Sequence, residues 1–114
     1  MAKVYGLHAL ELKPGVDAQE FERFFIEELL PRTTIPGGVD SLLRGDRGER
    51  NGRYLLLTEI ESPQRRDQLF PLNQGLSDEI QRMMGEASAT WDKLNSFVVA
   101  FPDPQFTDYV VVER

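Results

Sequence analysis

The stretch Tyr54-Leu55-Leu56-Leu57 decides the fold of this chain, because it is apolar or aromatic at every position. A β-strand points successive side chains to opposite faces of its sheet, so an unbroken apolar run indicates that both faces avoid water. Three further segments also lack a clean alternation of apolar and polar residues: 4–10 (VYGLHAL), 97–101 (FVVAF) and 109–112 (YVVV). Helices can cover one face of such a sheet. The other face needs a different cover, and a second copy of the same chain is the simplest one.

The totals of the sequence narrow the class of protein. With 114 residues the chain has the length of one domain, so we expect 1–114 to fold as a single unit. A formal charge of −6, with no lysine-rich or arginine-rich run, argues against a nucleic-acid partner. The apolar runs fall far short of the ~20 residues that span a bilayer, and no signal-peptide core is present, so we expect no membrane partner and a cytoplasmic location. The absence of cysteine excludes disulfides, thiolate nucleophiles and thiolate zinc sites.

Turn and cap residues divide the chain into strands and helices. Pro14-Gly15 ends the first strand, and Asp17 with Glu20 has the spacing of a capping box that starts a helix. Pro31 ends that helix, and Ser77 caps the longest one. The predicted strands are 3–12, 39–44, 53–61, 96–101 and 107–112, and the predicted helices begin after Asp17, Ser62 and Ser77.

This order of elements is β-α-β-β-α-β with an added C-terminal strand. It is typical of α+β ferredoxin-like folds, in which both helices cover one face of an antiparallel sheet. With strands that are apolar on both faces, the chain resembles the dimeric α/β-barrel superfamily. The residues that carry the resemblance are the start of the first helix at 17–25 (DAQEFERFF), the end of the third strand at 58–62 (TEIES) and the segment 91–94 (WDKL).

The resemblance implies a fold, an assembly and a range of activities. The superfamily includes small cofactor-independent monooxygenases, enzymes similar to muconolactone isomerase and polyketide cyclases, and stress-responsive proteins. Two sheets pack face to face in such dimers, and each subunit often keeps a small-molecule cavity between its sheet and its helices. One departure matters: the cyclase-like and stress-responsive members commonly carry a His-Pro segment, whereas 69–75 (LFPLNQG) has the proline and no histidine. An acid–base histidine therefore cannot be carried over to that segment.

His8 is the only histidine of the chain, and its ordinary pKa lies near neutrality. The strand period puts it on the same face as Gly6 and Leu10, and the resemblance turns this face toward the helices. There a histidine can act as a general base on an acidic C–H or O–H, or it can be a core residue hydrogen-bonded to a neighbour. Tyr54 falls on the same side, where its hydroxyl can bind or protonate an oxyanion or simply find one ordinary partner. His8 and Tyr54 are therefore the candidate catalytic residues.

A second set of residues is predicted to bind the substrate. Gly6 leaves space beside His8, which can admit a ligand or a bulky helix side chain. Aromatic residues at helical spacing can contact an aromatic ligand or fill the core. The predicted substrate-binding residues are Gly6, Leu10, Phe24, Phe25, Leu56, Thr58 and Trp91. Because no metal-ligand spacing, phosphate-binding glycine loop or nucleotide motif is present, we expect neither a metal nor a cofactor.

Three functions remain open from the sequence. The first is an enzyme that resembles a cofactor-free oxygenase, isomerase or cyclase and acts on an apolar or aromatic oxygenated substrate, with His8 as base and Tyr54 assisting. The second is a non-catalytic, ligand-binding or stress-associated dimer. The third is a structural dimer whose cavity is filled by Phe24, Phe25 and Trp91. The expected partners are a second copy of the chain and a small apolar or aromatic ligand.

Overall fold

The computed structural model describes residues 2–33, 36–71, 75–99 and 107–113. The strands are β1 (Val4–Leu10), β2 (Gly38–Arg44), β3 (Tyr54–Ile60) and β4 (Thr107–Val110). They form one antiparallel sheet in the order β2-β3-β1-β4. This is the strand order of an α+β ferredoxin-like fold, so the predicted fold class is confirmed.

Side-chain caps set the points at which three of the helices begin. Asp17, Ser62 and Ser77 each accept a hydrogen bond from a backbone N–H two or three residues further along the chain. Such a bond satisfies an N–H that has no partner within the helix, and it fixes the first turn. The helices are α1 (Ala18–Phe24), α2 (Pro63–Leu69), α3 (Asp78–Glu86) and α4 (Ser88–Phe97).

The helical segment that starts with α1 changes its winding before it ends. It continues as a π-helical turn, Phe25–Leu29, in which the N–H of Leu30 donates to the carbonyl of Phe25. A 3₁₀ turn, Leu30–Arg32, follows and contains Pro31. Because proline lacks a backbone N–H, the regular helix does not continue past it, as the sequence predicts.

The long helix predicted after Ser77 is two helices. α3 and α4 meet at Ala87, whose backbone (φ −102°, ψ 17°) departs from helical values. Gly85 lies just before this break, and glycine lowers the stability of a helix interior by about 1 kcal/mol relative to alanine. Ala87 is itself buried, so the two short helices remain packed onto the molecule.

The strand predicted at 96–101 is helix at its first two residues. α4 extends to Phe97, and Val98 then forms an isolated antiparallel bridge with Leu12. Sequence propensity favours a strand for the apolar run that follows Ser96, whereas packing against the core keeps the helix intact for one more turn. Residues 100 and 101 of this prediction lie outside the described residues.

The strand predicted at 107–112 is β4, and it borders β1. Thr107 lies opposite Leu7, and Val110 lies opposite Val4. The Val98 bridge and β4 therefore follow the same edge of the β1 segment. The described sheet has four strands, and β4 takes the fourth position of the ferredoxin-like order instead of adding a fifth strand.

One face of the sheet carries the hydrophobic core. Phe21, Phe25 and Leu94 are fully buried between α1, α4 and the sheet. Phe21 packs edge-on against Tyr54, with ring centroids 5.1 Å apart. Burying a side chain of this kind contributes about 1.5–3 kcal/mol relative to leaving it exposed. The core residues are Leu10, Phe21, Phe24, Phe25, Leu29, Tyr54, Leu56, Leu94 and Val98.

The opposite face of the sheet, which we call the open face, is apolar, and no described helix packs on it. Val39 is 61% exposed, Leu43 41% and Tyr109 56%. Ala9 is exposed as well, between them on β1. Within the residues that the structure describes, no helix has the length and apolar character needed to cross a membrane.

Candidate functional site

His8 lies on the helix-facing side of β1, as the strand period predicts. It is half-buried, with its Nδ1 atom inaccessible to solvent. The β1–β3 register places it opposite Leu56 and places Gly6 opposite Thr58. Because cross-strand neighbours on one face lie about 4.5–5.5 Å apart at Cβ, these four positions form one patch of the sheet. The structure therefore brings together His8, Gly6, Leu56 and Thr58.

Most of the other predicted substrate-binding residues lie in the packed core. Leu10, Phe24 and Phe25 are 3%, 2% and 0% exposed. Trp91 is half-buried and packs against the same cluster. These side chains contact one another between the sheet and the helices, which is the place that the sequence predicts for them. In the single chain they fill that space.

Tyr54 has a specific partner that sequence reasoning missed. Its hydroxyl donates a short hydrogen bond to the Oε2 atom of Glu22 in α1. The Nη1 atom of Arg44 donates to the same oxygen at 2.9 Å. Tyr54 and Arg44 are cross-strand neighbours on β3 and β2, so the sheet register holds both donors beneath the helix. The three side chains form a Tyr54–Glu22–Arg44 cluster.

This cluster shifts the pKa of each of its members. The hydrogen bond from Tyr54 lowers the pKa of the Glu22 carboxyl, and the nearby Arg44 charge lowers it further. Burial raises the pKa of Tyr54, and its bond to the Glu22 carboxylate acts in the same direction. Tyr54 therefore keeps its proton at neutral pH and can only serve as a hydrogen-bond donor or an acid.

Asp40 of β2 is a second residue that the sequence analysis did not select. It lies opposite Thr58, half-buried on the helix-facing side. Burial raises its pKa above the ordinary aspartate value, and the nearby hydroxyls of Thr58 and Thr33 act in the opposite direction. The period of the strand is the sequence signal that would have placed Asp40 on this side. Successive residues of β2 alternate between the faces, so Asp40, Leu42 and Arg44 lie on one face and Val39, Ser41 and Leu43 on the other.

The row of residues that contains Thr58 and Gly6 is polar across the sheet. Asp40 lies at its β2 end, and Asp108 of β4 lies opposite Gly6 at the other end. The Nη1 atom of Arg66 donates to Asp108 at 3.3 Å. This row is adjacent to the row that contains His8, so a histidine and several hydrogen-bonding groups lie on one side of the sheet. Among the described residues, no group of acidic or histidine side chains is arranged to hold a metal ion.

Two concave regions border the sheet, and His8 lines neither. The larger, of about 810 Å³, lies on the open face and is lined by residues that include Leu7, Leu43 and Leu55. The smaller, of about 410 Å³, lies between β2 and the helical segment that starts with α1. Its lining is Glu22, Ile26, Leu42, Leu43, Arg44, Asp46 and Tyr54.

The fold was compared with known proteins. No protein-family model and no curated protein sequence matches the chain. Among solved structures it is similar to SnoaB from Streptomyces nogalater, a cofactor-independent oxygenase, with a TM-score of 0.54, 14% identity, and 98% of this chain and 93% of that chain covered. It is also similar to a DABB family protein with a ferredoxin-like fold from Mesorhizobium loti, with a TM-score of 0.54, 12% identity, and 100% and 99% covered.

A third similar structure is an uncharacterized NIPSNAP-like domain protein from Burkholderia xenovorans. It has a TM-score of 0.51 and 15% identity, with 98% of this chain and 85% of that chain covered. The ferredoxin-like fold that the sequence predicts is therefore confirmed. At these identities the likeness concerns the fold alone.

Proposed function

We propose that this protein binds a small apolar or aromatic, oxygenated molecule between its sheet and its helices, and that it acts as a cofactor-independent oxygenase or an isomerase/cyclase-like enzyme. The observation that supports the proposal most is the position of His8. The only histidine of the chain lies half-buried on the helix-facing side, next to the side-chain-free position of Gly6. The cofactor-independent oxygenase SnoaB, which has the same fold, supports this class of activity.

His8 is the general base in this mechanism. It removes a proton from an acidic C–H of the substrate, and the resulting carbanion reduces O₂ and forms a C–O–O bond. Loss of water from the hydroperoxide leaves a new carbonyl, so one CH₂ group and one O₂ give one C=O and one H₂O. No cofactor is needed, because the substrate carbanion itself supplies the electrons. An isomerisation uses the same first step and returns the proton to another carbon.

Tyr54 assists as a donor to the oxyanion that forms when the C–H proton leaves. Its raised pKa keeps the hydroxyl protonated, so it does not compete with His8 for the role of base. Its proton is directed at Glu22 in the unliganded chain. A substrate oxygen must therefore compete with that carboxylate. Thr58, opposite Gly6, is a further hydroxyl for a substrate oxygen.

An oxygen-consumption assay tests this proposal. Anthrone is a suitable probe, because it is an aromatic ketone with an acidic methylene group. We expect catalysed uptake of one O₂ per anthraquinone formed, and a rate at least about 100-fold lower in His8→Gln, as for the loss of a general base. Ser41→Ala, on the open side of β2, is the matched control. Equal rates in the wild-type protein and His8→Gln would remove His8 from the mechanism.

A non-catalytic, ligand-binding function is the second candidate. The tight packing of Leu10, Phe24 and Phe25, which are buried without a ligand, favours instead a structural dimer with a filled core. The ligand-binding function uses His8 only as a hydrogen-bonding group. It predicts that anthrone or a related aromatic ketone protects the protein against heat without oxygen uptake. A rise of the melting temperature that persists in His8→Gln would support binding over catalysis.

We also propose that two copies of the chain pair through their open faces. Val39, Leu43 and Tyr109 expose apolar surface there, and the concave region of about 810 Å³ lies between them. Exposed apolar patches of this kind mark interaction sites. In the same dimer the strand at 107–112 pairs with the partner's sheet edge, which hides a run of valines that otherwise favours aggregation.

Light scattering of the purified protein tests the pairing. We expect twice the mass of the chain, which is 13.0 kDa. Leu57→Lys should shift the protein toward monomer, because it places a charge on the open face of the inner strand β3. Ile26→Lys places the same charge on an exposed side chain of the helical side, and it should leave the mass unchanged. A wild-type protein that is monomeric at high concentration would contradict the proposal.

A further inference from the structure

The smaller concave region, which we call the β2 groove, has the composition of a ligand site. Leu42 and Leu43 of β2 and Ile26 of the π-helical turn supply apolar walls, and the Tyr54–Glu22–Arg44 cluster supplies the polar end. Its volume of about 410 Å³ falls within the range of small-molecule pockets. Apolar walls with a few convergent polar groups are the usual construction of such pockets.

One acceptor in the β2 groove is left open. Tyr54 and Arg44 both donate to the Oε2 atom of Glu22. Within the described part of the chain, no hydrogen bond reaches the Oε1 atom of the same carboxylate. An ionised carboxylate can accept about four hydrogen bonds over its two oxygens, so Glu22 retains capacity for a donor from outside. Its side chain is 31% exposed, so that donor can reach it.

The charges that line the β2 groove select the kind of donor. Glu22 and Asp46 are acidic and Arg44 is basic, so the ionised lining carries one net negative charge. A carboxylate ligand would meet two like charges there. A protonated amine instead gains an interaction with Asp46 and with the Oε1 atom of Glu22, while Arg44 stays on the Oε2 atom.

The wall of the β2 groove includes an unusual backbone feature. Ile26 belongs to the π-helical turn Phe25–Leu29, and it is 51% exposed although it is a large apolar residue. Single π-helical turns within α-helices are rare and occur frequently at functional sites. Ile26 and Leu43, which is 41% exposed, both line the groove, so the ligand has an apolar surface to cover.

We propose that the β2 groove binds a small aromatic amine, whose ammonium group donates to Oε1 of Glu22 and whose ring packs on Ile26, Leu42 and Leu43. The site is separate from the proposed substrate site, because Gly6, His8 and Thr58 do not line it. Tyr54 is the one side chain that both sites share. Failure of the oxygenase assay therefore leaves this proposal intact, and the reverse also holds.

A methyl NMR titration with three matched probes tests the proposal. Protonated 2-phenylethylamine, 2-phenylethanol and 3-phenylpropionate share a phenyl ring and differ in the charge of the polar end. We expect saturable shifts of the Ile26 and Leu43 methyl signals with the amine, weaker binding of the alcohol and the weakest binding of the carboxylate. Blocked lysine, which carries the same ammonium group without a ring, should bind more weakly than the aromatic amine.

Variants of the acidic residues then locate the contact. Glu22→Gln should weaken binding of the amine about tenfold, as expected for the loss of a charged hydrogen-bond partner. Asp46→Asn should weaken it two- to threefold through the loss of a nearby charge. Glu27 is an exposed residue of the π-helical turn and does not line the groove. Glu27→Gln removes a charge of the same sign, and it should leave the affinity for the amine unchanged.

Three outcomes would overturn the proposal. These are equal affinity for the amine and the carboxylate, unchanged affinity in Glu22→Gln, and methyl shifts that leave out Ile26 and Leu43. Equal binding of blocked lysine would overturn the aromatic part, because it would show recognition of the ammonium group alone. Circular dichroism of Glu22→Gln separates loss of binding from loss of fold. Ile26→Ala is a second variant, which weakens the apolar contact of the ligand and leaves the Glu22 carboxylate in place.

Discussion

The two faces of the sheet are made of similar residues but differ in what they contact. The helix-facing side joins Leu10, Leu56 and Tyr54 to the aromatic residues of α1, and the side chains are buried. The open face carries Leu7, Leu43, Leu55 and Leu57 at the alternate positions of the same strands, and none of the helices in the described ranges lies over them. Apolar content therefore does not distinguish the two faces, whereas the interactions of their polar residues do.

Polar groups on the helix-facing side lie in defined interactions. Tyr54 donates to Glu22, and Arg66 donates to Asp108. On the open face the corresponding ion pair, Lys3 with Glu59, lies in solvent. Buried polar groups need partners whereas exposed ones do not, so the first kind of group fixes geometry and the second contributes little. Substitutions on each side test this difference.

The largest effect is expected in the core. Phe21→Ala removes a fully buried ring that packs on Tyr54, Phe25 and Phe97. The free energy of unfolding should fall by about 3–5 kcal/mol, which combines lost transfer free energy with the cavity left behind. Chemical denaturation measures the change. Tyr109→Ala removes a ring from the open face and should cost less than about 1 kcal/mol at protein concentrations where the chain is monomeric; equal losses would contradict the comparison.

The second effect concerns the hydrogen bond between Tyr54 and Glu22. Tyr54→Phe keeps the packing of the ring and removes the donor, so we expect a loss of about 1–2 kcal/mol at neutral pH. Tyr109→Phe, at an exposed position, is the matched control and should change nothing. Because the bond lowers the pKa of Glu22, the Tyr54→Phe protein should lose less stability than wild type when the pH falls through the range in which Glu22 is protonated. Parallel pH profiles for both proteins would disprove this link.

The sequence was sufficient to predict the position of His8 and its neighbours. The period of a strand fixes which residues share a face, so Gly6, His8 and Leu10 could be placed together without a structure. The caps at Asp17, Ser62 and Ser77 were also predictable, since each is a local arrangement of a side chain and the next turn. Features of this kind depend on residues that are close in sequence.

Features that join distant segments could not be predicted. Glu22 meets Tyr54 only because α1 crosses the sheet at a particular height, which the sequence does not specify. The placement of β4 along β1 depends on pairing between the two ends of the chain. Each of these is a long-range contact decided by packing of the whole chain.

A smaller effect, with a defined pH dependence, is expected at Asp40. Burial raises its pKa in the folded chain above the ordinary value of about 3.9, so the folded state binds this proton more tightly than the unfolded state does. Stability from this group is complete below about pH 4 and is lost as the pH rises through the raised pKa. Asp40→Asn removes the ionisation, so its stability relative to wild type should improve between pH 4 and 7, by about 1 kcal/mol or less.

Denaturation of Asp40→Asn and wild type at several pH values measures this difference. Asp46→Asn in the exposed hairpin changes the net charge by the same amount and corrects for the overall charge of the molecule. Thr58→Val removes one of the hydroxyls that stabilise the carboxylate, so it should be more destabilising at pH 7 than at pH 4. A pH-independent difference between Asp40→Asn and wild type would show that this carboxyl titrates alike in the folded and unfolded states.

The smallest effect is expected at the ion pair of the open face. Lys3 donates to Glu59 at 2.6 Å, but both side chains contact solvent, and the bond is screened by salt. Lys3→Ala should therefore leave the melting temperature of the monomeric chain unchanged within error. If a second copy covers this face, water is excluded from the pair, and the same substitution should lower the melting temperature at high protein concentration and leave it unchanged at low concentration. A change in melting temperature that is independent of protein concentration would place Lys3 outside the proposed interface. This weak ion pair therefore reports on whether a second copy covers the open face.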